Sequence, residues 1–211
     1  MRRSGSTEFR VLGAAFLAFS AAVGAGWLYG FDLWTLRAAQ ERTYGALDAV
    51  SNLLSSFGSP QTTAAALVVL AAGLWLYGRR SLAVRLVLVF VAASLVEVAM
   101  KYLLPQAPMP EGISRSSGHS PLVELAYPYP YPSGHMLRAV IVFGAAYLLV
   151  ENGLLRTGVV LLLAVMALSR VYLGVHWTTD LVGGALLGAA GLAWAFRARN
   201  GERKRSRKLW R

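Results

Sequence analysis

The sequence contains no cysteine, which excludes a disulfide framework, a zinc–thiolate centre and a cysteine nucleophile. It also leaves the redox compartment unmarked. Charge is scarce. Asp, Glu, Lys and Arg make up 15% of the 211 residues, where a soluble domain carries about 25%. Acidic residues are scarcest, 10 against 21 Lys and Arg, for a formal charge of +11. Apolar types fill 56% of the chain and the mean hydropathy is +0.50. So little charge cannot cover a soluble globule of this size, and the composition is that of a multi-pass membrane protein.

A bilayer core about 30 Å thick needs roughly 20 mostly apolar residues per helical crossing. Six segments qualify or come close: Val11 to Phe31, Thr62 to Gly78, Leu82 to Met100, Met136 to Asn152, Leu154 to Ser169 and Thr178 to Phe196. The alternation of a membrane barrel strand is absent, so the expectation is an all-α, six-transmembrane-helix bundle. The first segment follows two arginines like a signal peptide. Its apolar run is longer than the usual 7–15 residues and its removal would leave an odd number of spans, so it is expected to be retained. Basic residues near the helix ends number fifteen on the side of the two termini and six on the other. The positive-inside rule then puts both termini in the cytoplasm of a cell inner or plasma membrane. The loops after spans one, three and five face outward. In the first of these, Leu33, Leu36, Tyr44, Leu47, Val50, Leu53 and Leu54 recur every 3–4 residues, which predicts a helix lying on the interface. Gly184 and Gly188 form a GxxxG spacing that permits close helix contact. Residues 1–199 make up the membrane domain. Residues 200–211 are a basic cytoplasmic tail, read as a topology anchor on anionic lipid rather than a nucleic-acid patch.

Three polar clusters sit at helix ends on the outward side. Pro132-Ser133-Gly134-His135 precedes the fourth span. A helix start exposes unpaired N–H groups and the positive dipole end, which suits phosphate, and Gly134 lets an anion approach the backbone. His135 beside such an anion can donate a proton. Ser169-Arg170 is followed by His176 and Asp180. Four residues apart on a helical turn, Asp180 can hold the His176 imidazole in one tautomer and leave one ring nitrogen as a nucleophile. Arg170 offers a planar fork to phosphate oxygens. The third cluster is Lys101 at the outer end of the third span, with Glu97 one turn earlier as a partner.

Together these residues resemble the type 2 phosphatidic acid phosphatase family, integral-membrane lipid phosphate phosphatases that share a fold with vanadate-dependent haloperoxidases. The family carries KxxxxxxRP, PSGH and SRxxxxxHxxxD in that order. The second motif is matched fully by Pro132 to His135 and the third by Ser169, Arg170, His176 and Asp180. The first is incomplete: Lys101 is in place, but Pro108 and Met109 stand where the arginine and proline are expected. Arg138 and Arg115 are the nearby arginines that could substitute, and Arg138 is favoured because a helix fixes its position. Ser116-Ser117-Gly118-His119 imitates the second motif but lacks the proline and a following apolar span. The alternating Tyr127-Pro128-Tyr129-Pro130-Tyr131-Pro132 segment reads as a rigid rim to the site.

The resemblance implies phosphoryl transfer without a metal or cofactor. His176 is the nucleophile, Asp180 orients it, and His135 protonates the leaving group. Lys101, Ser133, Gly134, Arg170 and the substituting Arg138 hold phosphate oxygens. The expected partners are membrane lipids and a lipid phosphate or polyprenyl diphosphate substrate, with no nucleic acid. The alternatives are a phosphotransferase that passes the phosphoryl group to a non-water acceptor, and a non-catalytic lipid-binding membrane protein.

Overall fold

The computed structural model describes residues 5–116 and 127–197, and all regular structure among them is helical. The elements are α1 (Gly5–Gly24), α2 (Tyr29–Gln40), α3 (Gly45–Ser56), α4 (Pro60–Leu76), α5 (Arg80–Leu103), α6 (Gly134–Leu149), α7 (Gly153–Tyr172) and α8 (Thr178–Ala195). His119 and the basic tail lie outside the described residues. Helices stand at each of the six positions expected to span, although the boundaries move.

The largest shift is at the first helix. The apolar run continues to Phe31, yet α1 stops at Gly24 and a separate helix begins at Tyr29. Gly26 takes φ +75°, and around it the Gly26 N–H bonds Val23 O at 2.9 Å while the Trp27 N–H bonds Ala22 O at 3.2 Å. This pair of bonds is the Schellman ending, which a glycine in the left-handed region permits. Hydropathy has no access to that backbone turn.

The segment expected to hold one interfacial helix holds two, α2 and α3. They do not lie apart from the bundle: α2 packs against α7 and α8, and α3 against α7. Buried polar residues account for this. Asp32 on α2 and Ser51 and Ser55 on α3 are buried, and a buried polar group needs a partner elsewhere in the protein. Ser59 caps α4 through its hydroxyl, with Pro60 at the first helical position, as both residue types favour. The axes of α3 and α4 meet at 42°.

Helix α8 occupies the middle of the bundle, against α1, α5 and α6. Its small residues permit this. A Cβ at Gly188 would lie 2.8 Å from the Leu137 carbonyl oxygen, and one at Gly184 would overlap the Ser133 carbonyl. The two GxxxG glycines thus face α6, as their spacing predicts. Between α5, α6 and α8 lie Leu86, Leu137, Ile141, Ala145 and Leu192. The outward faces are apolar instead, with Leu17, Val69, Leu95 and Leu168 all exposed. A large apolar exterior around a closely packed interior is what a bilayer requires, where small-residue packing joins helices. Among the described residues, α1, α5 and α7 are each long and apolar enough to cross a membrane, and α3 with α4 pass as one bent span.

Candidate active site

Arg170 lies in the last turn of α7, and Gly174 ends that helix with φ +64°. The Gly174 N–H bonds Val171 O at 2.9 Å and the Val175 N–H bonds Arg170 O at 3.3 Å, a second Schellman turn. A side chain at Gly174 would come within 2.7 Å of the Ile113 carbonyl oxygen. The turn delivers His176 into the short connection before α8. There its Nδ1 is 3.0 Å from Asp180 Oδ2, which also accepts the Trp177 N–H at 3.0 Å. Asp180 is fully buried. Burial first, then the positive charges of Arg170, Lys101 and Arg138, hold the His176 pKa well below 6.5. The imidazole is therefore neutral at physiological pH. With its Nδ1–H donated to Asp180, Nε2 keeps its lone pair.

The second motif is joined directly to the third. Ser133 caps α6, its hydroxyl accepting the Met136 N–H at 3.5 Å, and its own N–H donates to the Asp180 carbonyl at 2.9 Å. Ser133 is completely buried. His135 follows in the first turn of α6, and the fields of Arg170, His176, Arg138 and Lys101 all reach its ring. The bend between α3 and α4 closes over it: a Cβ at Gly58 would stand 3.2 Å from His135 Cβ and 2.9 Å from Met166 Sδ.

Lys101, in the last turn of α5, lies over the Tyr127 ring at 4.7 Å. Its ammonium is 3.2 Å from Glu97 Oε1, and the other carboxylate oxygen accepts from an Arg138 terminal nitrogen at 2.7 Å. Glu97 therefore bridges the two cations. It also fills the space beside Gly134, where an added Cβ would overlap the carboxylate. Gly134 was expected to let an anion approach the backbone. The anion found there is the protein's own.

Arg170 gives one terminal nitrogen to Ser55 Oγ at 2.7 Å. The Nε atoms of Arg138 and Arg170 are both buried, and neither has a hydrogen-bond partner. Buried guanidinium nitrogens without acceptors are costly, and an oxyanion would satisfy them. Among the described residues, no three His, Asp or Glu side chains gather to hold a metal ion.

The structure thus gathers Lys101, Ser133, Gly134, His135, Arg138, Arg170, His176 and Asp180 at one place. It separates Arg115, whose Nε and a terminal nitrogen bond both Asp48 oxygens at 2.9 and 3.0 Å. Arg138, not Arg115, is the extra guanidinium beside the imidazoles. Met109 packs with Leu36, Val171, Trp177 and Leu181, while the Trp177 indole N–H bonds Ala107 O at 2.8 Å. The loop that would carry the absent arginine is thus anchored by apolar packing and uncharged hydrogen bonds, the Gln106 amide also donating to the Thr179 hydroxyl at 3.2 Å. The tyrosine–proline segment is only partly a rim. Tyr131 is fully buried, bonded through its hydroxyl to Ser20 at 2.8 Å and packed on Gly183. A small residue on α8 leaves the volume that draws this ring into the core.

Four contributors were not read from the sequence. These are Ser55 on Arg170, Gly58 on His135, Glu97 as a bridge to Arg138, and Asp32. Asp32 accepts both the backbone N–H and the hydroxyl of Thr179, at 3.0 and 2.6 Å. It caps α8, whose own N-cap position is Trp177. A buried acid in an otherwise apolar stretch was the available signal, but not one that names its partner.

Residues 82–204 match the PAP2 superfamily. The chain is 32% identical over 127 residues to YbjG of Escherichia coli (strain K12), named as a candidate undecaprenyl-diphosphatase, with 58% of this chain and 61% of that protein covered. The chain thus spans about three-fifths of that relative's length. It is 28% identical over 185 residues to phosphatidylglycerophosphatase B of Bacillus subtilis (strain 168), covering 82% of this chain and 85% of that one. In fold it is similar to the crystal structure of a transmembrane PAP2-type phosphatidylglycerolphosphate phosphatase from Bacillus subtilis. The TM-score is 0.73 at 23% identity, with 94% of this chain and 96% of that one covered. It is also similar to Aquifex aeolicus LpxE, with a TM-score of 0.59 at 22% identity over 79% of this chain and 94% of that one.

Proposed function

The chain belongs to the PAP2 superfamily, and on that footing we propose that it is an integral-membrane lipid phosphatase working through a phosphohistidine. The observation that carries this reading is the pairing of a neutral, Asp180-oriented His176 with two guanidinium groups, Arg138 and Arg170, whose buried Nε atoms lack acceptors. His176 Nε2 attacks phosphorus, and the bond to the leaving oxygen breaks as that oxygen takes a proton from His135, which the phosphate monoanion has charged on binding. His135 then removes a proton from water, which attacks the phosphohistidine. Inorganic phosphate leaves and the His176 lone pair is restored. Lys101, Arg138 and Arg170 hold the phosphate oxygens, where most catalysis of such a transfer resides. All the positive charge in this scheme comes from side chains, so no metal is required.

Six spans with both termini cytoplasmic put this site at the extracytoplasmic surface. The substrate is then a lipid phosphate or polyprenyl diphosphate of the outer leaflet. The names of the relatives, a phosphatidylglycerophosphatase and a candidate undecaprenyl-diphosphatase, support both classes. The test is phosphate release from a panel of these lipids in detergent, with EDTA present, by wild type, His176→Ala and His135→Ala. Wild type should release phosphate, vanadate should inhibit it, and His176→Ala should abolish it. Equal release by wild type and His176→Ala would remove the nucleophile. Turnover only when a lipid or sugar acceptor is added would make the protein a phosphotransferase.

A further inference from the structure

We infer that Glu97 is a positioning residue for this reaction: it sets the Arg138 guanidinium as the replacement for the arginine absent from position 108. The inference rests on the reading of the site as a phosphatase centre. Two helix faces meet here, each with residues one turn apart, Glu97 and Lys101 on α5 and Gly134 and Arg138 on α6. Spacing of four places each pair on one face. The Glu97 carboxylate lies where the faces touch, using Oε1 for Lys101 and Oε2 for a terminal nitrogen of Arg138, and overlying Gly134. It is 5% exposed, so the carboxylate is held rather than solvated.

A guanidinium is planar, and fixing one terminal nitrogen fixes the direction of its other donors. Arg138 gives a terminal nitrogen to Glu97 and keeps a buried Nε without an acceptor, and its charge reaches the rings of both His135 and His176. Arg170 shows the same division, one terminal nitrogen on Ser55 and a buried Nε without an acceptor. The two arginines are therefore presented alike, one by a carboxylate and one by a hydroxyl. A carboxylate suits Arg138 because a second cation, Lys101, lies largely withdrawn from water on the same Glu97, and unpaired charges of that kind are costly. A side chain at position 134 would evict it.

The experiment uses the full-length protein in mixed micelles with a short-chain phosphatidic acid as substrate and vanadate as inhibitor. The variants are Glu97→Ala, Glu97→Gln, Arg138→Ala and the Glu97→Ala/Arg138→Ala double variant. Glu97→Ala should lower kcat/KM and weaken vanadate inhibition by about ten- to hundredfold, the range of one charge-assisted hydrogen bond. Glu97→Gln, which keeps the shape but accepts from only one of the two cations, should fall between it and wild type. The double variant should be no worse than Arg138→Ala alone, because an arginine already misplaced has little left to lose. A merely structural carboxylate would lower the amount of folded protein while leaving KM and vanadate inhibition unchanged, and that result overturns the proposal. Multiplying effects in the double variant would overturn it too. If Glu97→Ala does not fold, Glu97→Gln carries the same comparison with Arg138→Ala. Wild type without phosphate release would sink the phosphatase reading itself. An active wild type, a dead His176→Ala and a wild-type-like Glu97→Ala would sink the inference alone.

Discussion

Replacing Asp32 tests whether α2 holds the catalytic end of α8 in place. Asp32 is 3% exposed and accepts two hydrogen bonds from Thr179, itself 1% exposed. Asp32→Ala leaves a buried N–H and a buried hydroxyl without their acceptor, at about 1–3 kcal/mol each. Something is returned, because burial pushes the Asp32 carboxyl above its usual pKa, so keeping the charge there already costs stability. The net loss should be about 3 kcal/mol. For a chain of this size that corresponds to a fall in Tm of about 6–12 °C. Asp32→Asn keeps an acceptor and removes the buried charge, so it should cost less than about 1 kcal/mol. Since Asp180 lies one residue beyond Thr179, kcat should fall with Asp32→Ala more than KM rises. The assay is thermal unfolding in detergent alongside phosphate release. An Asp32→Ala protein as stable and active as wild type would refute the capping argument. So would Asp32→Asn losing as much as Asp32→Ala, because the charge and not the acceptor would then matter.

Two further outcomes follow from the His176 turn. With its pKa held well below 6.5, His176 stays neutral and nucleophilic as the pH falls to that value. Single-turnover phosphoenzyme formation should therefore lose rate to His176 protonation only well below pH 6.5; a loss of one proton's worth centred at the value of an ordinary histidine would contradict the burial of this ring. Gly174→Ala should lower both stability and activity. The left-handed conformation costs a side chain about 1–2 kcal/mol, and the added methyl meets the Ile113 carbonyl. An unchanged Tm and turnover would show that this turn does not fix His176.

Much of the bundle was legible because hydropathy over twenty residues reports directly on what a bilayer tolerates. The site's outline was legible for a related reason. Ionisable residues at membrane helix ends are costly, so Lys101, Arg170, His176 and Asp180 stand out against an apolar chain. What escaped depends on backbone turns and on distant partners. The break at Gly26 interrupts an apolar run without changing its hydropathy. The partners of Asp32 and Ser55 lie 147 and 115 residues away, and no local periodicity encodes such a pairing. Tyr131 suits an interface by residue type, but the deciding factor is the volume left by Gly183 on another helix.

Glu97 shows how an incomplete motif can be read physically. Residue 108 lies on a loop held by the apolar packing of Met109 and by uncharged hydrogen bonds, Trp177 to the Ala107 carbonyl and Gln106 to Thr179. A loop anchored that way tolerates Pro108 because the fold asks nothing ionic of it there. On the proposed reading, Arg138 on α6 supplies the missing positive charge, from a position that helix geometry fixes. An arginine and a lysine side by side, each largely withdrawn from water, are costly to leave unpaired, and Glu97 meets both cations at once. That carboxylate in turn fits only if residue 134 has no side chain, a condition the PSGH motif already satisfies. If Arg138 supplies the charge that position 108 lacks, Pro108→Arg in a Glu97→Ala/Arg138→Ala background should recover phosphate release. Failure to recover it, in a protein that folds, would mean that the two positions do not serve one charge.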